Sequence, residues 1–262
     1  MAEQFVNLLD RGVTLCTERA GTGPALLVIT GTGSDLRNHP NPLRWPIAKH
    51  FDTVAYDHRC LGQSEQHDPD HQPTMADYGA DALALCDDQG FQEFSVIGVS
   101  FGGMVAQELA TIAGTRLTRL VLCCTSSGGE GDSSYPLHEL YAAGKSMDDL
   151  ADVWDTRTTH DEVVAAQMAA ILGGRRRPTL TPPGLLKQLE ARRHHDTWDR
   201  LPRIECETLV ASGMYDGVAP AENSERLAAQ IPRTELVSFP AGHMLLAQDP
   251  SAWPTILEFL LR

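Results

Sequence analysis

Apolar residues recur along this chain in short runs, and their spacing sets the expected architecture. Ala25–Ile29 is unbroken apolar sequence closed by a Gly-rich turn. Similar runs occupy Thr53–Tyr56, Phe94–Ile97, Leu117–Cys123, Thr208–Ala211 and Glu235–Phe239. Such runs suit strands buried on both faces of a parallel sheet. Two more strand-like stretches, Phe5–Leu9 and Val13–Thr17, open the chain. Between the runs the apolar positions take helical spacing: Tyr78, Ala82 and Leu85; Val105, Leu109 and Ile112; Leu227 to Ile231; Trp253, Ile256, Leu257 and Leu260. Strands alternating with helices predict an α/β protein with a mostly parallel, twisted sheet flanked by helices.

The alternation lapses between Ser127 and Trp198. Only helical patterns occur there, at Leu137–Ala143, Val163–Leu172 and Leu185–Ala191, separated by Gly- and Pro-rich breaks. The expected organisation is a core of residues 1–126 and 199–262, with 127–198 inserted as a helical cap. A chain of 262 residues suits one domain carrying such an insertion.

Composition narrows the function classes. The net charge of -14 repels phosphate backbones, so no nucleic acid partner is expected. No apolar run approaches the ~20 residues that cross a bilayer, so no membrane partner is expected either. The opening Met1-Ala2-Glu3-Gln4 is acidic and leads into no long apolar stretch, unlike a secretory leader, so the expected location is cytoplasmic. The six cysteines, at 16, 60, 86, 123, 124 and 206, form no C-x-x-C pair. They read as small buried hydrophobes with free thiols. No metal or cofactor is implied. His67 and His71 flank Asp68-Pro69-Asp70, but nothing nearby completes a metal site, and the segment reads as a solvated loop.

One segment carries a chemical signature. Gly98-Val99-Ser100-Phe101-Gly102 matches G-x-S-x-G. The pattern is common by chance, but here a buried strand leads in and an amphipathic helix leads out. That is the setting of a nucleophile elbow, whose sharp turn holds the serine hydroxyl exposed. A serine needs a base. His243, in Phe239-Pro-Ala-Gly-His243, sits between the last strand and the last helix, after every other candidate partner. The acid should follow a strand between the two, and Asp216 does so in Val210-Ala-Ser-Gly-Met-Tyr-Asp216. The other position open to an acid, after the strand ending at Cys123, carries only Cys124-Thr-Ser-Ser127. A stabilised oxyanion requires two backbone N–H donors. Phe101, next to the nucleophile, supplies one, and Thr32, in Thr30-Gly31-Thr32-Gly33-Ser34, is assigned the other. Gly31 and Ser34 are expected to line the substrate pocket. A phosphate-binding reading of this loop fails because no G-K-[ST] follows.

These pieces together resemble the α/β-hydrolase superfamily, in particular 3-oxoadipate enol-lactonases and related small esterases. The resemblance rests on Leu26–Gly33, Tyr56–Ser64, Gly98–Glu108, Ser212–Pro220 and Pro240–His243. Tyr56–Ser64 resembles the family's D-x-R-G-x-G-x-S loop, keeping Asp57, Arg59, Gly62 and Ser64. Two departures stand out: Thr30 where the family usually has His, and Cys60 where it usually has Gly.

The expected function is hydrolysis of a small carboxylic ester or lactone through an acyl-enzyme on Ser100. Alternatives using the same triad are C–C bond hydrolysis, cofactor-free perhydrolysis and acyl transfer. A ligand receptor with slow turnover is the rival from another class. Two basic clusters in the cap, Arg175-Arg176-Arg177 and Arg192-Arg193, read first as solvated faces, as most charge runs are, and otherwise as groups that hold a negatively charged substrate. At most one arginine of each could face a single pocket.

Overall fold

The computed structural model describes residues 3–38, 41–145, 147–173 and 183–262. Nine strands form one sheet among these residues. They are β1 (Gln4–Leu8), β2 (Val13–Ala20), β3 (Ala25–Ile29), β4 (Asp52–Tyr56), β5 (Glu65–Gln66), β6 (Phe94–Val99), β7 (Leu117–Cys123), β8 (Glu207–Gly213) and β9 (Thr234–Phe239). The spatial order is β1-β2-β4-β3-β6-β7-β8-β9, with β5 paired to β2. Pairing is antiparallel at β1–β2, β2–β4 and β2–β5, and parallel from β4 through β9.

The continuous apolar runs are explained by two-sided burial. On β3, Leu27 and Ile29 enter one core layer while Leu26 and Val28 enter the other, as the two-residue period of a strand demands. The first layer is closed by α1 (Met75–Asp88), α2 (Phe101–Ala113) and α7 (Ala221–Gln230), through Tyr78, Leu85, Val105, Leu109 and Leu227. The second is closed by α9 (Ala252–Leu261) and the turns around Ile47 and Phe51, through Ile256 and Phe259. α1 begins where Thr74 and Asp77 cap each other's backbone N–H groups in a capping box.

Between β7 and β8 the described residues contain no named strand. They form α3 (Leu137–Ala142), α4 (Ala151–Trp154), α5 (Glu162–Gly173) and α6 (Pro183–Arg193), with 3-10 turns between. The two ends of this segment meet: Gly128 and Asp196 form an isolated bridge, and Thr197 N–H donates to the Ser127 carbonyl at 2.9 Å. A third apolar cluster, including Leu140, Trp154, Met168 and Leu189, joins its helices to Leu61 and Val218 of the core. β5, α4 and α8 (Leu245–Gln248) have no counterpart in the expected elements. Each spans four residues or fewer, too short to carry a hydrophobic period.

From β3 the chain passes to β4 on one side and later returns to β6 on the other. In open α/β sheets, the crevice at such a reversal, outside the carboxyl ends of the strands, is where ligands bind. The loop after β3 and Ser100 after β6 flank it.

Candidate active site

Ser100 occupies the turn between β6 and α2 with φ 56° and ψ -119°. A residue with a side chain costs on the order of 1–3 kcal/mol in such a conformation. The neighbours make the turn feasible. A Cβ at Gly98 would lie 2.5 Å from the Gly102 carbonyl oxygen, and one at Gly102 would lie 2.0 Å from the Ile29 carbonyl oxygen. The absence of side chains at 98 and 102 therefore lets the helix start against the ends of β6 and β3. Ser100 N–H donates to the Cys123 carbonyl, and the Ser100 carbonyl accepts from the Thr125 hydroxyl, both at 2.8 Å.

The structure brings the expected partners to this serine. His243 Nε2 lies 2.9 Å from Ser100 Oγ, and His243 Nδ1 lies 2.8 Å from Asp216 Oδ2. Asp216 Oδ1 accepts the N–H groups of Val218 and Ala219, each at 2.8 Å. Those two bonds hold the carboxylate in one orientation and direct Oδ2 at the imidazole. A carboxylate only accepts, so Nδ1 carries the ring proton and Nε2 is left to accept from the serine hydroxyl. Both Asp216 and His243 are buried.

The helical segment reaches into this arrangement. His243 N–H donates to the Trp154 carbonyl at 2.7 Å, and the indole and imidazole centroids are 5.2 Å apart. Gly217 N–H donates to Val153, and Thr156 N–H to Tyr215, at 2.9 and 3.0 Å. Asp155, fully buried, pairs with Arg157 and accepts from Gln248, whose Oε1 in turn accepts Gly242 N–H. Thus the residues on either side of Asp216, and His243 with the residue before it, are tied to 153–156.

Cys124 is a further neighbour. It follows β7 with φ 48°, and its Sγ, a carboxylate oxygen of Asp216 and a ring nitrogen of His243 all lie within 4.8 Å of one another. Burial, then the Asp216 charge, push its thiol well above the usual range. All six cysteines are free.

On the other side of Ser100 stands the loop after β3. A Cβ at Gly31 would lie 3.4 Å from that of Ser100. Ser34 turns inward, its hydroxyl bonded to that of Thr30 and its N–H donating to Gly31 at 3.3 Å. Gly33 N–H donates to Gln188 of α6 at 2.8 Å. Thr32 follows Gly31 directly, and Phe101 opens α2, so the Phe101 N–H has no intrahelical acceptor. His58 Nε2 donates to the Thr30 carbonyl at 3.0 Å, while its ring meets Phe101 edge-on at 5.2 Å. Burial pushes His58 down to about 4, so it is neutral near pH 7. It anchors the loop that Thr30 begins.

The loop after β4 is a brace of the fold. Asp57 accepts Leu36 and Gln63 N–H groups at 2.7 and 2.8 Å, and burial pushes its carboxyl up to about 6 against them. Arg59 makes two 2.7 Å bonds to Asp81, with both side chains buried. Ser64 Oγ donates to the Asp57 carbonyl and accepts from Cys16 N–H. Cys60 adopts φ 62°, the left-handed conformation that the more usual glycine takes without strain.

The remaining candidates separate cleanly. His67 is bonded to Thr14 in an exposed setting, and His194 to Glu190. Of the cap arginines, 175–177 lie outside the described residues. Arg193 is exposed and pairs with Glu190, whereas Arg192 is buried. Trp154, Thr125 and the Cys124 contact escaped the sequence reading. Trp154 acts through its backbone carbonyl, which leaves no mark in residue identity.

A sequence profile of the alpha/beta hydrolase fold family matches residues 24–250. The chain belongs to this family. Its relatives include the rhodomycin D methylesterase DauP of Streptomyces sp. (strain C5), 28% identical over 273 residues, covering 89% of this chain and 90% of the esterase. Among solved structures it is similar to a hydrolase from Pseudomonas aeruginosa PA01 with a TM-score of 0.77, at 30% identity over 98% of both chains. It shares the fold of the enol-lactonase from Burkholderia xenovorans LB400, with a TM-score of 0.79 at 24% identity over 99% of this chain and 100% of that one.

Proposed function

We propose that this protein hydrolyses small carboxylic esters or lactones through an acyl-enzyme on Ser100. The observation that carries the reading is the unbroken line from Asp216 through His243 to Ser100, at 2.8 and 2.9 Å. Ser100 Oγ attacks the acyl carbon while His243 Nε2 takes its proton. The carbonyl oxygen becomes an oxyanion, held by the N–H groups of Phe101 and Thr32. Asp216 stabilises the imidazolium and keeps its Nδ1–H directed inward. His243 then protonates the leaving alkoxide, which departs as an alcohol or, from a lactone, stays tethered to the acyl group. Water, deprotonated by the same histidine, attacks the acyl-enzyme and releases the acid. Residues 127–198 act as a cap over Gly31 and Ser34 and shape the pocket. The methylesterase relative supports ester chemistry. Free thiols throughout suit a reducing, cytoplasmic compartment.

The test is Ser100→Ala, assayed on a panel of p-nitrophenyl esters and small lactones beside wild type. Loss of a triad nucleophile lowers kcat by about a million-fold. A fluorophosphonate should label wild type at Ser100 and leave the variant unlabelled. A variant retaining activity within tenfold of wild type would remove Ser100 from the mechanism.

A further inference from the structure

Arg192 is the last-turn arginine of α6 whose side chain points inward. Its residue is 6% exposed. Nη1 donates to the Tyr135 carbonyl at 2.7 Å, and buried Nε has no acceptor. Among the described residues no carboxylate pairs with it. Burial pushes its guanidinium down to about 10, with no compensating acid. An isolated buried cation is costly, and such groups are normally paired. Glu190, two residues earlier on the same helix, pairs with Arg193 and His194, and Glu108 pairs with Arg200 and lies 3.9 Å from His195 Nδ1.

The guanidinium borders a cavity of about 90 Å³ that is also lined by His138, His195, Ser126 and Ser134. His195 Nε2 and His138 Nδ1 are buried without hydrogen-bond partners, and His195 Nδ1 lies 3.9 Å from Glu108 Oε1. Burial pushes His195 down to about 3, so its neutral ring offers an N–H without adding charge. The Ser126 and Ser134 hydroxyls bond to each other at 2.8 Å, leaving one of their two protons free to turn toward the cavity. Several donors therefore converge on a volume suited to a single small charged group. The orphan positive charge sets the sign of that group.

We infer that this cavity is a binding site for a small oxyanion, a carboxylate or one of similar size, held by Arg192 with help from His138, His195 and the two serines. Three of its surroundings are close in sequence to residues that hold Ser100 and the loop after β3. Met104, also on the lining, is one helical turn from Ser100 on α2. Ser126 adjoins Thr125, which holds the Ser100 carbonyl. Gln188, one turn before Arg192 on α6, holds Gly33. The anion would be either a carboxylate on the substrate itself, which rests on the hydrolase reading above, or a free oxyanion acting beside it.

The test has a binding arm and a kinetic arm. Thermal unfolding is measured with acetate or inorganic phosphate against chloride at equal ionic strength, for wild type, Arg192→Met and Arg192→Lys. The expected result is a rise in Tm of several degrees for the oxyanions with wild type, the stabilisation that any ligand of the native state confers. Arg192→Met should lose that rise while its anion-free Tm equals or exceeds wild type, because an apolar isostere relieves an unpaired buried charge. Arg192→Lys, which keeps charge but not the planar fork, should retain a smaller rise. An equal response to chloride, or an undiminished response in Arg192→Met, overturns the site.

The kinetic arm compares monomethyl succinate with methyl butyrate. A carboxylate-bearing substrate is the source if Arg192→Met lowers kcat/KM about tenfold or more for the half-ester alone. An oxyanion-dependent Tm with kcat/KM unchanged for both esters assigns the site to a free anion and overturns the substrate source. If wild type turns over neither these esters nor the wider panel while the Tm response stands, the hydrolase reading fails and the anion site survives it.

Discussion

Replacing Asp216 by Asn tests the orientation argument with almost no change in shape. In the native protein one carboxylate oxygen is occupied by two N–H donors, those of Val218 and Ala219, at 2.8 Å each. An asparagine has one oxygen and one NH₂, and only the oxygen can face those donors. The NH₂ is then forced toward His243 Nδ1, where the native carboxylate accepts at 2.8 Å. Two donors cannot share that contact, so the imidazole must give up its Nδ1 proton and carry it on Nε2 instead. An Nε2–H facing Ser100 Oγ can no longer accept the serine proton. The expected loss in kcat is about 10⁴-fold, the size seen when a triad histidine is held in the wrong tautomer, equivalent to roughly 5.5 kcal/mol in the barrier. Stability should change little, because the two backbone bonds and the packed volume persist. The assay is steady-state hydrolysis of p-nitrophenyl acetate, with thermal unfolding measured on the same samples. Activity within tenfold of wild type, or an activity loss explained by unfolding, would refute the tautomer reasoning.

Three further outcomes follow from particular contacts. Gly102→Ala would set a Cβ 2.0 Å from the Ile29 carbonyl oxygen, so it should cost several kcal/mol, about 3 or more by analogy with severe overpacking, read as a lost or strongly lowered denaturation midpoint. Cys60→Gly should relieve the left-handed strain at φ 62° and raise Tm by about 2–4 °C, for roughly 1 kcal/mol in a chain of this size. His58 keeps its proton off until about pH 4 in the folded protein, whereas an unfolded histidine titrates near ~6.5. Between those values the unfolded chain binds more protons, so this residue's contribution to stability is present above ~6.5 and is lost as pH falls toward 4, by up to about 3 kcal/mol. His58→Gln should flatten that part of the Tm–pH curve relative to wild type, and an unchanged slope would count against the burial argument.

The sheet and the meeting of Ser100, His243 and Asp216 were legible in the sequence for different reasons. Buried parallel strands need apolar residues on both faces, so β3, β6 and β7 stand out as continuous runs. Ser100 is announced by the glycines its turn requires, and His243 and Asp216 by their places after strands. Less was readable where backbone groups act. The Trp154 carbonyl that fixes His243 would be there with any side chain at 154. Cys124 was read as a buried thiol, which it is, but only the left-handed turn at 124 brings its sulfur to Asp216. The pair Arg192-Arg193 shows the limit of a charge pattern. Adjacent helical residues point about 100° apart, since 3.6 make a turn, and only three-dimensional packing decides which one is buried.

The ties between 153–156 and the loops of Asp216 and His243 bear on how this enzyme could be re-engineered. Exchanging residues 127–198 as a block for the equivalent segment of a relative would shift the positions of the carbonyls that receive His243 and Gly217. The block would carry away part of the support of Asp216 and His243, the proposed acid and base, along with the specificity it was meant to change. A graft that leaves 150–159 in place and exchanges only the flanking helices would respect that boundary. In this chain the constraint is local to one turn, at 153–156, which is bonded to two loops far away in the sequence.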